Sequence, residues 1–258
     1  MVETSSMHKV FIRWVERLVN IEPKEGRALF WSFSYFFALL CSYYIVRPLR
    51  DEMGIAGGVE NLQWLFTGTF LVMLAAVPLF GWLTSRYRRS QFLPTIYIFF
   101  ILNLLGFYSL FQSDIAHVYV ARAFFIWTSV FNLFVVSVFW SFMTDLYNNA
   151  QAKRLFGFIA AGGTAGAIIG PALTAAMAIP LGPTNLLLVS ALFLFWAVLS
   201  IQRLIHWNAT TVEVQTDKRK NETDNTINKP LGGGVLAGIR LVFSSSYLSG
   251  IAILMILY

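Results

Sequence analysis

Two arginines and an aspartate stand close together after an apolar run, in the segment YYIVRPLRDEMG. Arg47 and Arg50 are three positions apart, so on a helix they share one face, and Asp51 adjoins them. Guanidinium groups bind carboxylate or phosphate oxygens through paired hydrogen bonds. If the helix continues beyond Pro48, the arginines can line an aqueous cavity and bind an anion. If it ends there, the segment is a surface ion pair and the start of a loop.

Further polar candidates lie within later apolar runs. Arg122 shares a helical stripe with Phe125 and Ser129. Asn103 and Asn132 fall near the middle of their runs, where an amide either bonds a neighbouring helix, the favoured interpretation, or lines a cavity. The expected substrate-binding residues are Arg47, Arg50, Arg122, Asn103 and Asn132.

Residue types and spacing give no support for an enzyme. The three histidines are scattered, and no cluster of Cys, His and acidic residues has metal-ligand spacing. The glycines at 162–170 are not followed by the Lys-Ser/Thr pair of a phosphate-binding loop. We predict no catalytic residue, no metal site and no cofactor.

The elements that must position these residues are membrane-spanning helices. The chain has 258 residues, of which 57% are hydrophobic and only 12% charged, about half the charged fraction usual in soluble domains. A bilayer core requires about 20 mostly apolar residues per helix. Six runs qualify, so we predict an all-α integral membrane protein with spans at roughly 28–46, 62–84, 92–111, 118–143, 156–179 and 185–205.

Basic residues predict the orientation. In a six-span chain, 16 of the 19 lysines and arginines fall on one side of the membrane, which the positive-inside rule makes cytoplasmic. The N-terminus and the central loop are therefore expected in the cytoplasm. This asymmetry accounts for the net charge of +6, so we expect the lipid bilayer as a partner and no nucleic acid.

Four segments are expected along the chain. Residues 1–26 form a cytoplasmic amphipathic segment that anchors at the membrane interface. Residues 27–206 form the six-helix bundle, and residues 207–246 form a flexible cytoplasmic linker. Residues 247–258 begin an incomplete seventh spanning helix, because twelve residues cover only about 18 Å.

The turn GWLTSRYRRS resembles the signature of the major facilitator superfamily between its second and third helices, with Ser85 in place of the acid. The resemblance predicts a conformational role for Gly81, Arg86, Arg88 and Arg89. Asp145 is a plausible ionic partner for Arg86 or Arg88. The alternative is that these arginines only set the topology.

The fifth run contains GGTAGAIIGP, in which Gly162, Gly166 and Gly170 share one helical face and Pro171 follows. Small residues at this spacing allow another helix to pack closely. The segment also resembles the glycine-proline pattern of the fifth helix in facilitator antiporters. Close packing is the first interpretation, and the conformational hinge that the resemblance implies is the second.

A narrower resemblance connects several of these segments. Arg47, Arg50 and Asp51 match the first-helix motif of the nucleotide transporter family, which includes ATP/ADP antiporters. Further matches lie in the fourth run and at the start of the fifth, at Trp127, Phe139, Trp140, Ala152, Lys153 and Arg154. Two positions differ, because the family commonly has lysine at Arg50 and glutamate at Phe125.

Together these resemblances imply the N-terminal half of a secondary transporter in the bacterial inner membrane. Its partners would be a small anionic solute and a C-terminal six-helix half, with the solute bound near the midplane between the halves. Two alternatives remain open: a proton-coupled exporter of amphipathic compounds, and a truncated bundle that does not transport.

Overall fold

The computed structural model describes residues 25–56, 58–86, 89–113, 117–216 and 244–257. In these residues the chain forms α-helices and no strand, which confirms the all-α prediction. The helices are α1 (Gly26–Ala56), α2 (Leu62–Arg86), α3 (Arg89–Gln112), α4 (His117–Leu146), α5 (Asn149–Leu181), α6 (Leu186–Thr216) and α7 (Ser246–Leu257).

Six helices, α1 to α6, are long and apolar enough to cross a membrane. This confirms the six predicted spans. α6 continues to Thr216, ten residues into the segment that was expected to be a linker. The rest of that segment, 217–243, and residues 1–24 of the expected amphipathic segment lie outside the described residues.

α1 is the central helix of the bundle. Its most extensive contacts are with α5 and α6, and it also packs against α4. α2 lies at the periphery, where large side chains such as Trp64, Phe70 and Leu74 are exposed. Exposed apolar surface of this kind is expected of a helix in a bilayer, because lipid solvates it.

Glycines allow α5 to lie very close to α1. A Cβ atom added at Gly162 would lie 2.6 Å from the carbonyl oxygen of Phe33, and one added at Gly170 would lie 2.8 Å from Cβ of Tyr44. Gly166 likewise faces the α1 backbone. Real side chains cannot approach so closely, so the predicted close packing along this glycine face is confirmed.

Buried hydroxyl groups join α1 to α6 inside the bundle. Ser42 and Ser190 are hydrogen-bonded at 2.7 Å between their Oγ atoms, and Trp196 Nε1 donates to Ser34 Oγ at 2.8 Å. Such bonds satisfy polar groups that lipid cannot satisfy. They fix the register of α6 against α1, the helix that carries the arginine pair.

Candidate functional site

α1 does not end at Pro48. The helix continues for two further turns to Ala56, which is the condition under which the arginine pair can point into a cavity. Proline removes one backbone hydrogen bond, but spanning helices tolerate it where neighbouring groups compensate. Arg47 and Arg50 therefore lie on a continuous helix.

Arg50 is held by contacts on two sides. Its Nε and Nη2 atoms donate to the same oxygen, Oδ1 of Asp51, at 2.9 and 2.6 Å. Its guanidinium carbon lies 5.1 Å from the centre of the Phe125 ring, within the range of a cation–π interaction. The Arg50 side chain is 19% exposed, so its remaining donors are partly accessible.

Phe125 joins three helices at this point. A Cβ atom added at Gly54 in α1 would lie 2.9 Å from two carbons of the Phe125 ring. The same ring meets Phe66 of α2 edge-on, with 5.6 Å between centroids. Phe125 is buried, so its aromatic ring packs inside the bundle against Arg50.

The other two arginines differ in their surroundings. Arg47 is exposed, and its guanidinium lies 5.6 Å from the Tyr44 ring centre. Arg122 is half-buried in α4, one turn before Phe125. Ser129 on the same stripe is buried and donates to the carbonyl of Phe125. Phe125, whose ring lies against Arg50, is thus one helical turn from Arg122.

The two asparagines do not join helices as expected. Asn103 Nδ2 donates to the carbonyl of Phe99 in its own helix at 2.8 Å, so the expected interhelical bond is wrong for this residue. The carbonyl one turn earlier is already within reach, and it satisfies the amide without a neighbouring helix. Asn132 is half-buried and forms no hydrogen bond with the described residues.

The residues expected to have a conformational role are only partly described. Gly81 is half-buried in α2, Arg86 ends α2 and Arg89 begins α3. The side chains of Arg86 and Arg89, and all of Arg88, lie outside the described residues. Asp145 is half-buried in the last turn of α4, and its pairing with Arg86 or Arg88 stays a prediction.

Pro171 does not interrupt α5, which runs unbroken to Leu181. Pro171 is exposed, whereas Gly170 before it is buried against α1. The packing role of the glycine face is therefore established, and the hinge stays a prediction.

The sequence analysis missed a buried carboxylate. Glu25 is 4% exposed just before α1. Its Oε1 atom accepts from Gln151 Nε2 at 2.7 Å and pairs with Arg154 Nη2 at 3.2 Å. We name Glu25, Gln151 and Arg154 the α1–α5 clasp. It gives Arg154 a structural role in joining α1 to α5.

A capping box at the start of α5 positions Gln151 in the clasp. Asn148 and Gln151 form a capping box, in which each side chain accepts from the other residue's backbone N–H. This fixes Gln151 so that its amide nitrogen faces Glu25.

Nearby, the Tyr147 hydroxyl is hydrogen-bonded to Ser32 Oγ at 2.9 Å. Burial raises the pKa of Tyr147 to about 12, so the hydroxyl stays protonated at neutral pH.

The described residues contain no group of three or more His, Cys, Asp or Glu that could hold a metal ion. The arrangement instead offers cations, ion pairs and aromatic rings between helices.

Comparisons with known proteins agree with this architecture. The family model described as Major Facilitator Superfamily matches residues 28–258, which include all of the six spans except the first two residues of α1. No curated protein and no solved structure matches the chain.

Proposed function

Because the chain belongs to the major facilitator superfamily, whose members are transporters, we propose that it carries a small anionic metabolite by secondary transport. The proposed ligands for the anion are Arg47, Arg50 and Arg122. They are the three basic residues that do not fall on the predicted cytoplasmic side of the six-span chain.

The observation that carries this proposal is the continuation of α1 beyond Pro48. It keeps Arg47 and Arg50 on one helix, and Phe125 connects Arg50 to the helix that contains Arg122. Ionisable residues in spanning segments are costly and usually pair, line water or bind a ligand. Asp51 offsets one of the three positive charges, so an anion is favoured there.

The substrate class follows from the donors. Arginine side chains match phosphate and carboxylate oxygens, so phosphorylated metabolites and dicarboxylates are the first candidates. The resemblance to nucleotide transporters makes ATP and ADP part of the test. In those relatives an acid commonly stands where this chain has Phe125, so we propose a related anion exchanger whose substrate is not restricted to nucleotides.

The experiment is exchange of radiolabelled ATP, ADP, inorganic phosphate and dicarboxylates in vesicles that contain the protein. We expect uptake of at least one anion, and a loss of about tenfold or more when Arg50 is replaced by glutamine, because a charge-assisted contact contributes about 1.5–3 kcal/mol. A Lys153→Gln variant is the matched control. It removes one positive charge from an exposed position in α5.

A second variant pair tests the same site by adding a negative charge beside Arg50. Phe125→Glu would place a carboxylate beside Arg50 and compete with the anion, whereas Phe125→Leu keeps the position apolar. Uptake that survives Phe125→Glu and neutralisation of all three arginines would remove them from the site. Efflux of amphipathic compounds driven by a pH gradient would instead favour the exporter. Stable recovery with another membrane protein, without transport, would favour the non-transporting bundle.

A further inference from the structure

Two arginine–tryptophan pairs meet at the end of the bundle where α1 begins and the apolar part of α6 ends. Arg27 and Trp31 are one turn apart in α1, and Arg203 and Trp207 are one turn apart in α6. The guanidinium of Arg203 lies 5.9 Å from the Trp31 ring centre. We name Arg27, Trp31, Arg203 and Trp207 the α1–α6 basic cluster.

α1 and α6 are antiparallel, because successive spans alternate in direction and these are the first and the sixth. Each arginine of the cluster therefore lies level with the tryptophan of the other helix. Arg203 lies beside Trp31. Arg27, one turn earlier in α1, and Trp207, one turn later in α6, both lie about 6 Å closer to the membrane surface. Arg27 and Arg203 are both exposed. The structure gives neither of them a hydrogen bond or ion pair within the described part of the chain.

The basic cluster differs in this respect from Arg154 at the same end of the bundle. Arg154 is paired with the buried Glu25, so its charge is offset within the protein. Arg27 and Arg203 have no acidic partner among the described residues, and they lie at the limit of the apolar spans Gly26–Ala56 and Leu186–Asn208. Lipid headgroups lie at this depth, and tryptophan is enriched there.

An apolar stripe leads from Arg203 along α6 into the membrane. Leu199 is one turn from Arg203 and 42% exposed, and Phe195 is a further turn away and 54% exposed. Phe30 of α1, beside Trp31, is 59% exposed. A free phosphate ion would use only the cations, whereas a phospholipid would also use this apolar surface.

We propose that the α1–α6 basic cluster binds the headgroup phosphate of an anionic phospholipid, with the acyl chains along the exposed stripe of α6. The two guanidinium groups donate to the phosphate oxygens, and the Trp31 ring holds Arg203 in place. The positive-inside rule places this end in the cytoplasmic leaflet, where anionic lipids attract basic groups. The proposal goes beyond the transport function and does not depend on it.

The test is lipid binding to the purified protein, measured by native mass spectrometry as phosphatidylglycerol is titrated into a neutral detergent. We expect Arg203→Gln to weaken binding about fivefold, since one basic group near a lipid surface contributes about 1 kcal/mol. Arg203→Lys keeps the charge but loses the planar guanidinium that lies against Trp31, so its affinity is expected to fall between those of the unaltered protein and Arg203→Gln. Lys153→Gln, the matched loss of one exposed charge, is expected to leave binding unchanged.

Two further arms separate the lipid from other sources of phosphate. Phosphatidylcholine is expected to bind the protein and the Arg203→Gln variant equally weakly. Millimolar inorganic phosphate is expected to leave phosphatidylglycerol bound. Displacement by inorganic phosphate would overturn the lipid assignment. Equal weakening by Lys153→Gln and Arg203→Gln would overturn the site, because it would indicate diffuse surface charge.

Discussion

Glu25 is the carboxylate whose removal has the clearest predicted consequence. It is 5% exposed at its side chain, and its partner Arg154 is 28% exposed. Replacing Glu25 by alanine removes the carboxylate that accepts from both Arg154 and Gln151. Breaking a buried ion pair costs about 3–5 kcal/mol, and the partial exposure of Arg154 brings the expected loss to about 2 kcal/mol.

The measurement is the free energy of unfolding in mixed micelles, followed by tryptophan fluorescence as a denaturing detergent is added. Glu52→Ala is the control, because Glu52 is an exposed acid in α1, the helix that follows Glu25. A Glu25→Ala/Arg154→Ala double variant should lose less stability than the two single changes together, since the pair is coupled. Equal losses for Glu25→Ala and Glu52→Ala would contradict the clasp.

Sequence patterns indicate the cations of the candidate site but not their surroundings. Arg122 is conspicuous because charge is rare in an apolar run, and Arg47 and Arg50 are conspicuous because they directly follow one. Phe125 was noted only as the residue that replaces an acid, and its place over Arg50 depends on Gly54, which is 71 positions away. Glu25 and Arg154 are 129 positions apart, so only the packing of α1 against α5 brings them together.

At the scale of elements, the number and position of the spans follow from hydropathy, but their ends do not. The first apolar run stops at Val46, whereas α1 continues through RPLRDEMGIA to Ala56. The last run stops near Ile205, whereas α6 continues to Thr216. Hydropathy detects only the part of a helix that lipid surrounds, and a helix can continue into water or a polar cavity without an apolar signal.

The packing of α5 on α1 gives a second prediction. A methyl group at Gly166 would collide with the α1 backbone, and a backbone cannot move aside as a flexible side chain can. We expect Gly166→Ala to reduce the free energy of unfolding by about 1–3 kcal/mol, the usual effect of overpacking.

Gly157 provides the matched control for this change. It lies in the same helix, and an added Cβ atom would meet nothing within 4 Å. Alanine is favoured over glycine in a helix by up to about 1 kcal/mol, so Gly157→Ala should be neutral or stabilising. The same micelle unfolding assay measures both variants. A Gly166→Ala protein as stable as the Gly157→Ala protein would show that α5 does not depend on this close approach.

At the scale of the whole molecule, one orientation accounts for the positions of nearly all the basic residues. The end of the bundle where α1 begins carries Arg27, Arg154 and Arg203 and the turn that contains Arg86 and Arg89. The opposite side holds Arg47 and Arg50 beyond the apolar part of α1. If the end where α1 begins faces the cytoplasm, the anion reaches Arg47 and Arg50 from the outside, and the α1–α6 basic cluster lies in the cytoplasmic leaflet. This orientation is the single premise of both assignments.

That premise can be tested with single cysteines, because the native Cys41 is fully buried in α1 and should not react. Ser113→Cys lies just after α3, at the end expected outside, and Ala150→Cys lies at the start of α5, at the end expected inside. In intact cells a membrane-impermeant maleimide should label only the S113C variant. After permeabilisation it should label both, which controls for their reactivity. If only the A150C variant were labelled in intact cells, the bundle would have the opposite orientation, because both sites are fixed by the same alternation of six spans. The basic cluster would then lie in the outer leaflet.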